Sequence, residues 1–211
     1  RGNEFNAWSV GNPPEHETIL AFTRLMGGPM DYTPGIFRIK LNQFDANKKE
    51  QVHTTLCKQL ALYVTMASPL QMAADLPENY EAHMDAFQFI KDVAVDWDDT
   101  KVLDAEPGDY VITARKAKGK AIWFLGAMTD ENARSFTIAL SFLSVNKNYI
   151  ATIYRDADDA DWKNNPEAYV VEKFLVDAAT ALKLKLAPGG GTAISFIPAT
   201  TEDIKKIKKY N

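Results

Sequence analysis

Residues 106–125 read EPGDYVITARKAKGKAIWFL, and this stretch decides the fold class of the C-terminal half. A Glu-Pro-Gly turn opens it. In residues 109–114 the side chains of Tyr110 and Ile112 fall on one side, because successive side chains of an extended chain alternate between two faces. Residues 122–125 form a second short apolar run after a polar interruption. The stretch therefore predicts two β-strands joined by turns.

The same period of two continues towards the C-terminal end of the chain. Short runs with strand character are separated by turn-rich pieces such as Pro-Gly-Gly-Gly at 188–191. About seven or eight short strands at such spacing favour an antiparallel β-sandwich. We therefore expect an all-β domain with its own core over about residues 97–198. The further runs cover residues 136–140, 149–154, 169–175, 182–186 and 193–197.

Upstream of about residue 95 the apolar residues recur at helical spacing instead. Residues 51–75 carry the strongest pattern, with Val52, Leu56 and Leu60 four positions apart. Pro69 is expected to kink or end this helix. Helical patterns in the first half and strand patterns in the second predict two domains with a boundary near residue 95.

Two shorter elements are expected near the N-terminal end. Asn12, followed by Pro13 and Glu15, is a typical helix start. The glycines at 27–28 are expected to end that helix, because glycine accepts the left-handed turn. Residues 35–39 predict a short strand after a Pro-Gly turn.

Composition excludes several functional classes. The chain of 211 residues is 46% hydrophobic and 25% charged, which is typical of a folded domain rather than a disordered one. A net charge of -4 argues against a basic surface for nucleic acid or an anionic membrane. No apolar run is long enough to span a bilayer. Cys57 is the single cysteine, which excludes an internal disulfide, and we expect it to be a small buried side chain.

The N-terminal residues carry the groups best suited to chemistry. Glu4 lies among amides and aromatic side chains, Trp8 follows it, and Asp31 precedes a turn. A carboxyl group beside aromatic rings suits sugar chemistry, since rings stack on pyranoses and partial desolvation raises the carboxyl pKa. By residue types alone, a surface or ion-paired role is the more common one for a glutamate such as Glu4. The residues also give no rule for choosing a second carboxylate.

Other polar and aromatic residues are expected to be structural. His16 lacks an obvious partner in the sequence, so a solvent-facing or supporting role is favoured. Trp97, Trp123 and Trp162 are scattered, which favours packing in the core or at a domain junction over a sugar-binding platform. Residues 156–161 resemble a calcium loop only loosely, because the glycine and distal glutamate of an EF-hand are missing.

Five long pieces of the sequence, in order and covering nearly the whole chain, resemble family 97 of the glycoside hydrolases. They read RGNEFNAWSVGNPPEH, TILAFTRLMGGPMDYTPGIF, QLALYVTMASPLQMAADLPENY, FIKDVAVDWDDTKVLDAEPGDYVITARKAKG and LKLKLAPGGGTAISF. The family comprises mainly Bacteroidetes α-glucosidases and α-galactosidases with an N-terminal β-sandwich, a (β/α)8 barrel and a C-terminal β-sandwich. The resemblance implies an α/β plus all-β fold. Residues 1–95 would hold the C-terminal units of the (β/α)8 barrel, and residues 96–211 the C-terminal antiparallel β-sandwich domain.

The resemblance also assigns roles to individual residues. Glu4, in RGNEFNAW, matches the general acid of the family, and barrel enzymes place such groups at the C-terminal ends of strands. Trp8 is expected to contribute to substrate binding, and so is Asp31, although its place before a turn equally suits a turn or cap residue. The family holds an active-site calcium with glutamates, so Glu4 is expected to touch the metal while the other ligands lie upstream of Arg1.

These features imply part of an exo-acting, calcium-dependent, inverting α-glucosidase that releases glucose from α-gluco-oligosaccharides. A retaining α-galactosidase of the same family, or a non-catalytic β-sandwich module associated with carbohydrate, stays open as an alternative. The base or nucleophile would lie upstream, on the missing N-terminal sandwich and barrel portion of the same polypeptide, so this chain alone is expected to be inactive. The family further implies a periplasmic or cell-envelope location, with the targeting signal outside this chain.

Overall fold

The computed structural model describes residues 11–43 and 45–210 of the chain. Within these residues, eight strands lie between Trp97 and Pro198, where the alternating pattern predicts them. The seven runs proposed from the sequence each fall on one strand, and the eighth strand precedes them. The strands are β1 (Trp97–Glu106), β2 (Tyr110–Ala117), β3 (Trp123–Thr129), β4 (Arg134–Ala139), β5 (Tyr149–Asp156), β6 (Tyr169–Val176), β7 (Ala181–Leu186) and β8 (Gly191–Pro198).

The strands form two antiparallel sheets. A six-stranded sheet has the order β1-β2-β3-β8-β5-β6, and β4 pairs with β7 in a two-stranded sheet. Apolar side chains from both sheets meet in one core, which is built from the C-terminal half of the chain. The prediction of an antiparallel sandwich with its own core is therefore confirmed. Members of this core include Ile112, Leu125, Ile138, Ile153, Leu182, Leu184, Leu186, Ile194 and Phe196.

The strand β7 shows why the sequence folds in this way. Its residues read ALKLKL, and Leu182, Leu184 and Leu186 are buried while Lys183 and Lys185 are exposed. Period-two alternation places every leucine on the core face and every lysine in water, and this fixes the register of the strand.

Five α-helices and one 3-10 helix complete the described structure. Helix α2 is fully buried, since each of its ten residues is shielded from solvent. Its side chains Leu56, Leu60 and Val64 pack in a second core with Phe124 and Tyr154 on the large sheet. The large sheet is therefore the middle layer, between the small sheet and a helical layer. The helices are α1 (His16–Leu20), a 3-10 helix (Arg24–Gly27), α2 (Leu56–Thr65), α3 (Pro77–Glu81), α4 (Met84–Asp92) and α5 (Thr201–Lys206).

Helix α2 is shorter than the pattern over residues 51–75 predicts. It begins after Thr55, whose hydroxyl accepts a hydrogen bond from the Lys58 amide at 3.2 Å as an N-cap. It ends at Thr65, four residues before Pro69, because Met66 already has an extended backbone with ψ 105°.

The barrel units expected in residues 1–95 are not found in the part of that range that the structure describes. Instead of a strand, residues 35–39 form an irregular segment, and the pairings in this region are single bridges such as Tyr32 with Gln71. The amides of Phe37 and Arg38 donate to Asp75 Oδ2 at 2.7 and 2.8 Å. Side-chain carboxylates thus satisfy backbone donors that a strand partner would otherwise bond. The described residues 11–95 form a helical layer on the sandwich.

No helix in the described ranges has the length and apolar character needed to cross a membrane.

Candidate functional site

The predicted site residues are only partly within the described structure. Glu4 and Trp8 lie outside the described residues, so their roles stay predictions. Asp31 is exposed, four residues after the end of the 3-10 helix. Its neighbour Tyr32 is buried, and burial, followed by the nearby Glu17 carboxylate, raises the pKa of the Tyr32 phenol. Asp31 does not line the cavity described below, so it is not brought together with the other candidate groups.

A buried lysine holds the chain segment that follows the predicted acid. Lys58 Nζ donates to the Pro14 carbonyl at 2.5 Å and to the Thr129 carbonyl at 3.0 Å. The same nitrogen lies 3.4 Å from Glu17 Oε2, and the two side chains are 0% and 2% exposed. A buried ammonium needs partners on all sides, because an unpaired charge in the interior is costly. One side chain of α2 therefore joins the segment around Pro14 to β3 of the sandwich.

A buried aspartate fixes the start of α2 to the sandwich. Asp156 Oδ1 accepts from the Thr55 hydroxyl at 2.7 Å. Its Oδ2 accepts from the amides of Gly191 at 2.9 Å and Ala187 at 3.0 Å. Burial raises the pKa of Asp156 to about 6, although these hydrogen bonds and the charge of Lys58 act in the opposite direction. The N-cap of α2 and the end of β5 thus share one polar contact.

Cys57, next to this network, is buried as the sequence predicts. Burial is the largest cause that raises the pKa of its thiol, so the thiolate is disfavoured and the side chain acts as a small apolar residue.

A cavity of about 400 Å³ opens beside the anchored segment. Two carboxylates, an imidazole and an indole face it, and they come from four separate parts of the chain. His53 Nδ1 lies 2.9 Å from the Asn12 carbonyl oxygen, and its ring centroid lies 4.8 Å from that of Trp162. Aromatic rings beside convergent polar groups are typical of small-molecule sites. The lining residues are Gly11, Pro13, Pro14, Glu15, His53, Glu131 and Trp162.

A second cavity, of about 190 Å³, lies beside β4, β7 and the loop after β5. Its charged side chains already have partners: Lys185 Nζ lies 3.2 Å from Asp158 Oδ1, and Arg134 is paired with Asp130 and Asp109. The charged side chains around this second cavity are therefore accounted for by ion pairs within the sandwich.

The three tryptophans considered as a sugar platform lie in different settings. Trp123 is buried in the sandwich core against Phe142. Trp97 packs edge-on against Phe124, at 5.9 Å between ring centroids. Trp162 is half-buried and faces the cavity. They do not form one platform, and Trp162 alone among them lies at a candidate site.

The acidic loop at 156–161 uses its carboxylates in protein contacts. Asp161 Oδ1 accepts from the amides of Lys163 and Asn164 at 2.9 and 3.0 Å. Asp158 pairs with Lys185, and Asp156 is buried in the contact described above. Across residues 11–43 and 45–210, no group of three or more histidine, cysteine, aspartate or glutamate side chains is placed to hold a metal ion. The described residues therefore do not form the calcium site that the family resemblance implies.

The fold and the cavity together define a β-sandwich protein in which the helical layer and loops of the sandwich line an aromatic and carboxylate-containing cavity. Comparison with known proteins gives the family. The family model described as "Glycosyl-hydrolase 97 C-terminal, oligomerisation" matches residues 96–197. The chain belongs to glycoside hydrolase family 97, as a C-terminal portion of such a protein.

Similar proteins of known description agree with this assignment. A retaining alpha-galactosidase of Bacteroides thetaiotaomicron is 37% identical over 92% of this chain. The structure of a family 97 enzyme from Pseudoalteromonas sp. strain K8 in complex with acarbose is 52% identical over 95% of this chain, with a TM-score of 0.89. A structure from the same strain in complex with panose has a TM-score of 0.85 over 90% of this chain, also at 52% identity.

The chain is short compared with these relatives. It spans 29% of the Bacteroides thetaiotaomicron protein, and 31% and 29% of the acarbose and panose structures.

Proposed function

We propose that this chain is part of an exo-acting α-glycosidase that releases glucose from α-linked gluco-oligosaccharides. The observation that carries the proposal is the 52% identity, over 95% of the chain, to a family 97 enzyme in complex with acarbose. The same identity to the enzyme in complex with panose supports it, because panose is a trisaccharide of α-linked glucose. In this proposal residues 1–95 belong to the catalytic part of the enzyme, and residues 96–211 to the C-terminal sandwich.

In the proposed reaction Glu4 is the general acid. It donates its proton to the glycosidic oxygen as the bond to the anomeric carbon breaks. An inverting enzyme then needs a carboxylate about 6.5–9.5 Å from the acid, so that a water molecule fits between them and attacks the opposite face. That base is an upstream glutamate in this proposal. Trp8 and Asp31 are proposed to contact the substrate.

The described residues contribute by fixing the segment that follows Glu4. Lys58 binds the carbonyl of Pro14 and pairs with Glu17, and His53 contacts the carbonyl of Asn12. A general acid acts only within hydrogen-bond reach of its target oxygen, so a rigid segment close behind it limits misplacement.

Calcium belongs to the proposal only through Glu4 and ligands upstream of Arg1. Because the described residues do not form a metal site, no step of the proposed reaction passes through the ion. A periplasmic or cell-envelope location is proposed from the family resemblance.

A retaining α-galactosidase is the second candidate. The specific observation in its favour is the 37% identity to the retaining alpha-galactosidase of Bacteroides thetaiotaomicron over 92% of this chain. A retaining enzyme would use a carboxylate about 5–5.5 Å from the acid as its nucleophile and form a covalent intermediate.

Two measurements on the full-length enzyme separate the candidates. With aryl α-glucoside and aryl α-galactoside, we expect kcat/KM to favour the glucoside by at least about 100-fold, as expected when a site hydrogen-bonds the distinguishing hydroxyl. Proton NMR of the first product should show β-glucose, the inverted anomer. A preference for the galactoside with release of the α-anomer would contradict the glucosidase proposal and support the second candidate.

A further inference from the structure

The 400 Å³ cavity joins four parts of the chain that are distant in sequence. Gly11, Pro14 and Glu15 come from the segment that follows the predicted acid. His53 precedes α2, and the remaining wall is formed by Glu131 and Trp162 from loops of the sandwich. The sandwich therefore supplies side chains to a cavity that also borders the proposed catalytic segment.

Contacts within the protein itself hold Trp162 in position. Its amide donates to the Pro188 carbonyl at 3.2 Å, and its own carbonyl accepts from Gln51 Nε2 at 2.6 Å. Gly189, with φ 63°, lies so close that an added Cβ would be 2.6 Å from the Cβ of Trp162. A side chain at that position would displace the indole. The backbone of the neighbouring turn is thus shaped around a tryptophan that is half open to the cavity.

The chemistry of the lining fits a sugar ring. The apolar faces of a pyranose stack on indole, and its hydroxyl groups donate to carboxylates such as those of Glu15 and Glu131. Within residues 11–43 and 45–210 neither glutamate forms an ion pair, and Glu131 is exposed, with only a long hydrogen bond of 3.4 Å from Asn132 Nδ2 to its Oε1. A volume of about 400 Å³ lies within the roughly 300–1,000 Å³ range of sites for small ligands.

We propose that this cavity, with Trp162 as its stacking surface and Glu131 as an acceptor, binds a sugar unit of the oligosaccharide beyond the bond that is cut. The proposal rests on the proposed function and names the residues that hold the departing part of the substrate. Gly11 follows Glu4 by seven residues, so the chain itself keeps the cavity within at most about 25 Å of the acid. An exo-acting enzyme encloses the terminal glucose, so the other units extend outwards from the acid.

Steady-state kinetics of the full-length enzyme with substrates of two lengths test this inference. The short substrate is an aryl α-glucoside, and the long one is a linear pentamer of α-linked glucose. For Trp162→Leu we expect the ratio of kcat/KM, pentamer over aryl glucoside, to fall by about tenfold, mainly through KM. For Glu131→Gln, an exposed position where folding is not at risk, we expect a fall of about threefold. The matched controls are Trp97→Leu and Glu106→Gln, which should leave the ratio unchanged.

A direct binding measurement separates this inference from the proposed function. Calorimetric titration of the pentamer into full-length Glu4→Gln enzyme should give an affinity that Trp162→Leu lowers by about tenfold. If the enzyme hydrolyses no glucoside but this loss is found, the proposed function fails and the sugar site stands. If the enzyme hydrolyses the pentamer and neither Trp162→Leu nor Glu131→Gln alters the ratio or the affinity, the inference is overturned.

Discussion

At the scale of single residues, the junction between α2 and the sandwich depends on two buried charged side chains. Lys58 joins the segment at Pro14 to β3, and Asp156 joins Thr55 to β8 through the amide of Gly191. Neither contact is visible in the sequence pattern, because the partners are far apart along the chain, 101 residues in the case of Thr55 and Asp156.

Asp156 should give the stability of the chain a defined pH dependence. Its pKa rises from 3.8 in the unfolded chain to about 6 in the fold, so its contribution is fully present below pH 3.8 and is lost as the pH rises through 6. Asp156→Asn removes this dependence while keeping the shape of the side chain. We expect the free energy of unfolding of the variant, relative to the natural chain, to increase by about 3 kcal/mol between pH 3.5 and 7.5. Urea denaturation at both pH values measures it.

Asp177→Asn is the matched control, because the fold lowers the pKa of Asp177 whereas it raises the pKa of Asp156. Partial burial raises the pKa of Asp177, but hydrogen bonds from Thr180 and Ala179 and the charge of Lys209 lower it overall. Its stabilising contribution is therefore present at neutral pH and lost in acid. A relative stability of Asp156→Asn that is the same at both pH values would show that Asp156 is not a buried acid.

At the scale of elements, the close contact between α2 and the large sheet depends on two glycines. A Cβ added at Gly126 would lie 2.5 Å from the Ala61 carbonyl oxygen, and one at Gly191 would lie 2.7 Å from Lys58 Cα. Both distances are too short for any side chain, so the helix backbone rests directly on the strands. A small residue at these positions is what allows α2 to be buried on all sides.

Gly126→Ala should therefore separate α2 from the sheet. We expect the free energy of unfolding to fall by about 2–3 kcal/mol, as for other overpacked cores, and amide exchange in α2 to accelerate. Gly27→Ala is the control, since an added Cβ meets nothing within 4 Å there and the change should stay within about 0.5 kcal/mol. Equal stability of the two variants would contradict the close contact.

The elements also show what the sequence could predict. Strands such as β7 were predictable because the alternation of leucine and lysine reports one buried face directly. The strand β1 lacks that signal, because it is a mostly exposed edge strand with two register irregularities. Its many polar residues do not alternate with apolar ones, so the sequence does not predict this strand. The short strand expected at 35–39 is absent because carboxylates of Asp75 and Glu167, distant in sequence, bind its amides.

At the scale of the whole molecule, the two halves of the chain pack against each other in one layered structure. Helix α2 shares a core with the large sheet, and the cavity beside Pro14 has walls from both halves. The sequence predicted Glu4 as the acid by family resemblance, but Glu131 and Trp162 meet at the cavity through folding alone. Glu131 and Trp162 come together through contacts between residues far apart in the chain, which short-range sequence patterns do not predict.

The proposed role of Glu4 as the general acid of an α-glucosidase is tested most directly by the leaving-group dependence of the full-length enzyme. Glu4→Gln keeps the shape of the side chain but cannot give up a proton. We expect kcat/KM for an α-linked glucose disaccharide, with a poor leaving group, to fall by at least about 100-fold.

An activated aryl α-glucoside, whose leaving group needs little protonation, should lose less than about tenfold. Glu78→Gln, at an exposed position of helix α3, serves as the control and should behave as the natural enzyme. A loss of the same size on both substrates would contradict the assignment of Glu4 as the acid.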